Sequence, residues 1–213
     1  AKKVDLQDYI AAMLSKTKSF VAPMVFKEQS NGEDILSVQQ MAVFKKDKMV
    51  GKLTYDETRG LLWTLGEVQT GVVDIPYDDG TVSFEIKNAS SDVNVQFIED
   101  KVQVSINVSQ ECVLSAQTCS QNLAKTTYFK ILEGLIDDAV KDEIMAAILK
   151  AKELNTDYFG FGEKLGKTPP DNSKNIESNW DYYFPKMAVK VAVKSTILSA
   201  GVLTAPTLPE SDE

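Results

Sequence analysis

The chain has 213 residues, 43% of them hydrophobic, enough apolar material for one large domain or two small ones built on a real core. Lysine and arginine total 23 against 31 for aspartate and glutamate, and the positive residues of this −8 chain are scattered, which argues against nucleic-acid binding through a basic face. The absence of histidine removes the commonest general base, the commonest zinc ligand and every Ser-His or Cys-His nucleophile.

The N-terminus, Ala1 to Asp5, carries no initiator Met, no signal segment and no lipid-accepting Cys, so the chain reads as a fragment or a processed form. Leu6, Tyr9, Ile10, Met13 and Leu14 fall at helical spacing and predict a short amphipathic helix over Asp5 to Ser15. Loop residues follow, through Pro23 and Asn31-Gly32. Leu36 to Phe44 suits a strand, turned by Lys46-Asp47-Lys48 into Met49 to Leu53 as a hairpin. Thr54-Tyr55-Asp56-Glu57 spells a capping box, in which hydroxyl and carboxylate each satisfy an orphan amide, and predicts a helix through about Leu65.

Val72 to Pro76 meets Asp79-Gly80, a hairpin dipeptide whose residues tolerate positive φ, and Val82, Phe84 and Ile86 alternate beyond it. Val93, Val95 and Phe97 form a further alternating set, and Glu99-Asp100 leads into Val102, Val104, Ile106 and Val108. Each strand buries one face, as in an antiparallel sheet covered on one side. From Asn122 to Asn155 the period becomes helical, with Leu132, Leu135, Ile136, Ala139, Val140, Ile144, Ala147 and Ile148 on a broad stripe. Such a helix is ~45 to 50 Å long, and Gly134 marks a bend or break in it. After a Gly-rich turn, Pro169-Pro170 and an aromatic segment around Trp180, Met187, Val189, Val191 and Val193 alternate against Lys190 and Lys194 as a last strand. This greasy stretch, Met187 to Leu203, is too interrupted to supply the ~20 apolar residues of a membrane span. The acidic, Pro-containing tail reads as disordered.

The fold class expected is α+β, with an antiparallel sheet of about four to six strands packed against the long helix and several shorter ones. Val82, Phe84, Ile86, Val102, Val104 and Ile106 should point toward that helix. Residues 1–35 are read as an N-terminal helix and connecting segment, 36–203 as the domain and 204–213 as a tail.

No motif carries convincing chemistry. Gly160-Phe-Gly162-Glu-Lys-Leu-Gly166 is one residue too long for a dinucleotide fingerprint and follows a helix, so a tight turn packing Phe159 and Phe161 is expected. Ser15-Lys16-Thr17-Lys18 satisfies S-x-x-K without its companion motifs, and Lys167-Thr168-Pro169 lacks the required glycine. Asp78-Asp79, Asp137-Asp138 and Asp142-Glu143 are read as a turn and solvated helix faces, because adjacent helical residues do not face each other. Trp63, Trp180, Tyr182, Tyr183 and Phe184 are the candidates for an aromatic recognition surface, although packing is the commoner role; Phe44, Leu62, Phe159, Trp180 and Phe184 are expected to pack. Asn88-Ala-Ser90 and Asn107-Val-Ser109 match a glycosylation sequon that is common by chance. Cys112 and Cys119 fit neither C-x-x-C nor a metal site, and either a local disulfide or two free thiols suits their spacing. No catalytic, cofactor-binding or metal-ligating residue is assigned.

Three stretches resemble the Ger(x)C family of spore germinant receptor C subunits. They are Ala42 to Leu53 with Glu57-Thr58-Arg59-Gly60-Leu61-Leu62-Trp63, then Thr156-Asp157-Tyr158-Phe159-Gly160-Phe161-Gly162-Glu163, then Trp180-Asp181-Tyr182-Tyr183-Phe184-Pro185. Their order and spacing cover most of Leu36 to Val202. Two features depart from the family pattern: a Trp often found several residues before Trp180 is absent, and no basic residue precedes Gly201 within Leu198-Ser199-Ala200. The resemblance implies the third domain of a non-catalytic lipoprotein, anchored by an N-terminal Cys absent from this chain to the outer face of the spore inner membrane. There it implies action with a membrane-embedded A subunit and a transporter-like B subunit in nutrient-triggered germination. A receptor-assembly module is the expected role, with direct binding of a small-molecule germinant beside the aromatic segment as the alternative. No enzyme, cofactor or nucleic-acid partner is expected.

Overall fold

The computed structural model describes residues 4–30, 32–165, 176 and 178–200. The expectations placed on Asn31, Gly166, Lys167-Thr168-Pro169, Pro170, Gly201 and the tail 204–213 lie outside the described residues.

The first helix, α1 (Leu6–Leu14), is capped by Asp5, whose carboxylate accepts from the backbone N–H of Gln7 and Asp8. None of its residues is buried, and Tyr9 meets Phe20 edge-on at 5.4 Å. A strand, β1 (Ser19–Ser30), occupies the segment expected to be loop. Pro23 argued against a strand, but β1 is the edge of its sheet, where a missing N–H is tolerated. It pairs antiparallel with β2 (Glu33–Lys45), which pairs with β3 (Lys48–Leu53) in the expected hairpin. Toward the β1–β2 tip the ribbon leaves the core, and Val25, Ile35, Leu36 and Val38 are exposed.

The capping box forms as read: Thr54 Oγ1 accepts from the Glu57 N–H at 3.3 Å, and the Thr54 N–H donates to Glu57 Oε2 at 2.7 Å. The helix it starts, α2 (Tyr55–Leu65), ends at Gly66 with φ of 69°, where the Glu67 N–H returns to the Leu62 carbonyl.

A second sheet contains β4 (Gly71–Tyr77), β5 (Gly80–Ile98), β6 (Lys101–Gln117) and β7 (Ala188–Ser199), in that spatial order. Among the described residues there are thus two sheets, of three and four strands, where one was expected. The β4–β5 turn is Asp78-Asp79, as read for that acidic pair and one residue before the Asp79-Gly80 dipeptide, with Tyr77 opposite Gly80. Gly80 serves a different need, since a Cβ there would lie 2.6 Å from the backbone nitrogen of Cys119. The sets Val82-Phe84-Ile86 and Val93-Val95-Phe97 belong to one strand, because the register shift between Ile86 and Asn88 exchanges the two faces and keeps both sets inward.

The longest helix, α3 (Phe129–Glu153), follows a 3₁₀ turn at Thr126–Tyr128. It starts later than Asn122 because Gln117 holds the preceding loop, donating to the Gln121 carbonyl and accepting from the Leu123 N–H. Its 25 residues run ~37 Å. Gly134 does not break it; a Cβ there would meet nothing within 4 Å. After α3 come α4 (Phe161–Leu165), α5 (Trp180–Tyr183) and a 3₁₀ turn at Phe184–Lys186. This crossover returns the chain so that β7 lies parallel to β6, the one departure from antiparallel pairing among the described strands. Val82, Phe84, Ile86, Val102, Val104 and Ile106 are buried in one cluster with Leu132, Ile136, Val140 and Ile144 of α3, as expected.

Candidate functional site

The three stretches that carry the family resemblance meet at the end of α3. The helix closes with Asn155 at φ of 45°, its N–H bonded to the Lys152 carbonyl and the Thr156 N–H to the Ala151 carbonyl. Lys45 of β2 reaches in, donating to the Asn155 carbonyl at 2.7 Å and to Asp181 Oδ1 of α5 at 2.8 Å. Asp157 then turns the chain into α4, its two carboxylate oxygens accepting from the N–H groups of Phe161 and Gly162. A Cβ on Gly162 would stand 2.8 Å from Thr17 Cγ2 and 3.1 Å from the Trp180 ring, so a side chain there must push one of them aside. Glu163 accepts from the Lys16 N–H and ties the N-terminal segment to the same place.

A second lock joins α2 to α3. Gly60 lies against the Glu143 backbone, where a Cβ would fall 1.9 Å from the carbonyl oxygen. The Glu143 carboxylate takes Arg59 Nε at 2.9 Å and Trp63 Nε1 at 2.7 Å. Two further carboxylates of α3 secure β7: Asp137 accepts from the Ser195 N–H and Glu133 from the Ile197 N–H. The match is geometric, since four helical residues rise ~6 Å and two strand residues ~6.6 Å. Asp137 and Glu143 are therefore not on solvated faces as expected; their partners lie 58 and 84 residues away in sequence, beyond any local pattern.

Burial dominates the electrostatics. Asp157, 3% exposed, has its carboxyl pushed up to about 6 by burial, against the stabilising N–H groups of Gly162, Phe161 and Gly160. Burial likewise raises Asp137 and Glu143, for Glu143 despite Arg59. Burial opposes the Arg59 charge too, but Glu143 and Tyr55 outweigh it and raise the guanidinium. The Cys112 thiol is pushed up to about 12 by burial and by Glu133 and Asp137, which leaves it protonated and a poor nucleophile. Both cysteines are buried and free. No group of three potential metal-ligating side chains occurs among the described residues.

The aromatic candidates do not share one surface role. Trp63, Phe159, Trp180 and Phe184 are buried, whereas Tyr182 is exposed and packs edge-on to the half-buried Tyr183 at 5.2 Å. Phe44 and Leu62 are half-buried. Phe159 and Phe161 stack at 4.9 Å inside the glycine turn, as expected of a structural motif. Ser15 acts as a helix cap, its hydroxyl donating to the Ala12 carbonyl and accepting from the Lys18 N–H. The sequon residues Asn88 and Asn107 sit exposed on β5 and β6.

A cavity of about 350 Å³ opens between α2, β2 and the loop entering β4, lined by Val38, Tyr55, Thr58, Arg59, Leu62 and residues 67–72. Sequence reasoning missed it, because only the fold brings Val38 and Val72 beside Arg59. No described helix is long and apolar enough to cross a membrane.

Comparison with known proteins agrees with the resemblance read from the three stretches. Spore germination protein KC of Bacillus subtilis (strain 168) is 21% identical over 224 residues, spanning 96% of this chain and 54% of the relative. Spore germination protein B3 of the same organism is 24% identical over 159 residues, spanning 74% of this chain and 42% of the relative. The chain thus spans about half the length of the curated relatives it matches. The crystal structure of the GerBC protein shares the fold, with a TM-score of 0.75 at 21% identity over 89% of this chain and 60% of that one. The family model for spore germination B3/GerAC-like proteins, C-terminal, matches residues 39–201, and the chain belongs to that family.

Proposed function

We propose that this chain is the C-terminal part of a C subunit of a nutrient germinant receptor and works there as a non-catalytic assembly module. One observation carries the reading: the charged groups Lys45, Asp157 and Asp181 of the three family stretches are engaged in holding the chain together, while apolar side chains of the β1–β2 ribbon stay in the open. Exposed apolar groups of this kind mark contact surfaces, and buried, fully bonded carboxylates do not mark a reactive site. The proposal includes an N-terminal lipid anchor outside this chain, holding the subunit on the outer face of the spore inner membrane beside the A and B subunits. An anchored module gains effective concentration, so each contact with those subunits suffices even when weak in solution. A net charge of −8 disfavours adhesion to an anionic bilayer, which leaves the anchor and the protein contacts to position it. The division into a connecting segment (1–35), the domain (36–203) and a tail (204–213) is part of the same proposal.

Crosslinking in dormant spores tests this. Adducts between the domain and the A or B subunit are expected, together with loss of germination when the domain is deleted; normal germination after deletion overturns the reading.

A further inference from the structure

We propose that the cavity between α2 and β4 binds a small monocarboxylate with an apolar body. This is a ligand site in addition to the assembly role, and it lies away from the aromatic segment to which the sequence pointed. Its volume of about 350 Å³ is in the range of small-molecule sites. Leu62, Val68 and Val72 give it an apolar lining.

Two polar groups set the ligand chemistry. Arg59 is pinned by Glu143 at Nε, and its Nη1 donates to the Val72 carbonyl at 2.9 Å. Its Nη2 makes no hydrogen bond to any described residue, so a planar, preorganised donor pair remains at the cavity. Thr58, 5% exposed, lines the same cavity, and its hydroxyl has no hydrogen-bond partner among the described residues. Native proteins leave few buried polar groups in that condition without a bound water or ligand. A carboxylate answers both, taking Nη2 on one oxygen and, once Thr58 turns about χ1 to bring its hydroxyl from the wall into the cavity, that hydroxyl on the other. An ammonium group is repelled by Arg59. Because Glu143 already balances much of the guanidinium charge, affinity is modest, with Kd on the order of 1 mM.

The test titrates the ¹⁵N-labelled 213-residue chain with 4-methylpentanoate and follows backbone amide shifts. Saturable shifts confined to Thr58–Leu62 and residues 67–72 are expected. The neutral 4-methylpentanamide should bind roughly tenfold more weakly, the cost of losing a charge-assisted hydrogen bond. Thr58→Val should weaken binding roughly threefold to tenfold while leaving the melting temperature unchanged or raised, since an unpartnered hydroxyl is gone. Val68→Trp, checked for folding in the same spectrum, should abolish the shifts by filling the cavity. Absence of saturable shifts, equal binding of the amide, or undiminished binding by Thr58→Val overturns the proposal.

Discussion

At the junction of α3, β2 and α5, Lys45, Asp157 and Asp181 are each bonded to named groups, whereas at the tip of the β1–β2 ribbon Val25, Ile35 and Leu36 stand in water. The residues most diagnostic of the family are thus those that fix its fold. The exposed apolar side chains of the ribbon tip belong to no motif. Substitution should therefore separate the two regions: the junction and the α2–α3 lock govern stability, and the ribbon tolerates change in the isolated domain.

The largest effect is expected at Gly60. A methyl group there meets the Glu143 carbonyl oxygen at 1.9 Å, and backbone cannot rotate away, so α2 and α3 must part. Gly60→Ala should cost about 3 kcal/mol or more in urea denaturation, at the upper end of overpacking. Trp180→Ala comes next, at ~3 to 5 kcal/mol for a fully packed ring and toward the lower figure here because the rim of Trp180 is exposed.

Below about pH 4, where Asp157 is protonated, Asp157→Asn should cost about 1 to 3 kcal/mol, since one of two backbone donors loses its acceptor, and this cost shrinks toward neutral pH. Its signature lies in pH. The folded chain holds the Asp157 proton more tightly than the unfolded chain does, with the carboxyl raised from 3.8 to about 6. Its contribution to stability is therefore full below the unfolded value and lost as pH rises through about 6. Unfolding free energy of the parent should fall between about pH 4 and 7 by roughly 2 to 3 kcal/mol from this group, and Asp157→Asn should flatten that slope. Burial raises Asp137 and Glu143 as well, and they add to the slope in the same direction. An unchanged slope in the variant would assign the pH dependence elsewhere. The smallest stability change belongs to Val25→Asp with Leu36→Asp, within ~0.5 kcal/mol of the parent because both side chains are exposed.

Local rules carried much of the fold. The Thr54–Glu57 capping box, the α3 stripe, the β2–β3 hairpin and the last strand were all legible, because each depends on neighbours within a few residues. What escaped depends on context. Pro23 hides β1 until the strand is known to lie at an edge. The shift after Ile86 makes one strand look like two, and the parallel pairing of β7 is set by the crossover that precedes it. Asp137 and Glu143 looked like ordinary helix surface because their partners lie on a strand and a helix distant in sequence. The cavity at Arg59 was invisible for the same reason.

The most direct test of the central claim is germination of spores whose receptor carries Val25→Asp and Leu36→Asp, with domain abundance in the spore measured alongside. If the domain acts through protein contacts on its apolar ribbon, abundance stays at the parental level while germination and crosslinking to the A or B subunit are lost. Parental germination at parental abundance would contradict the account.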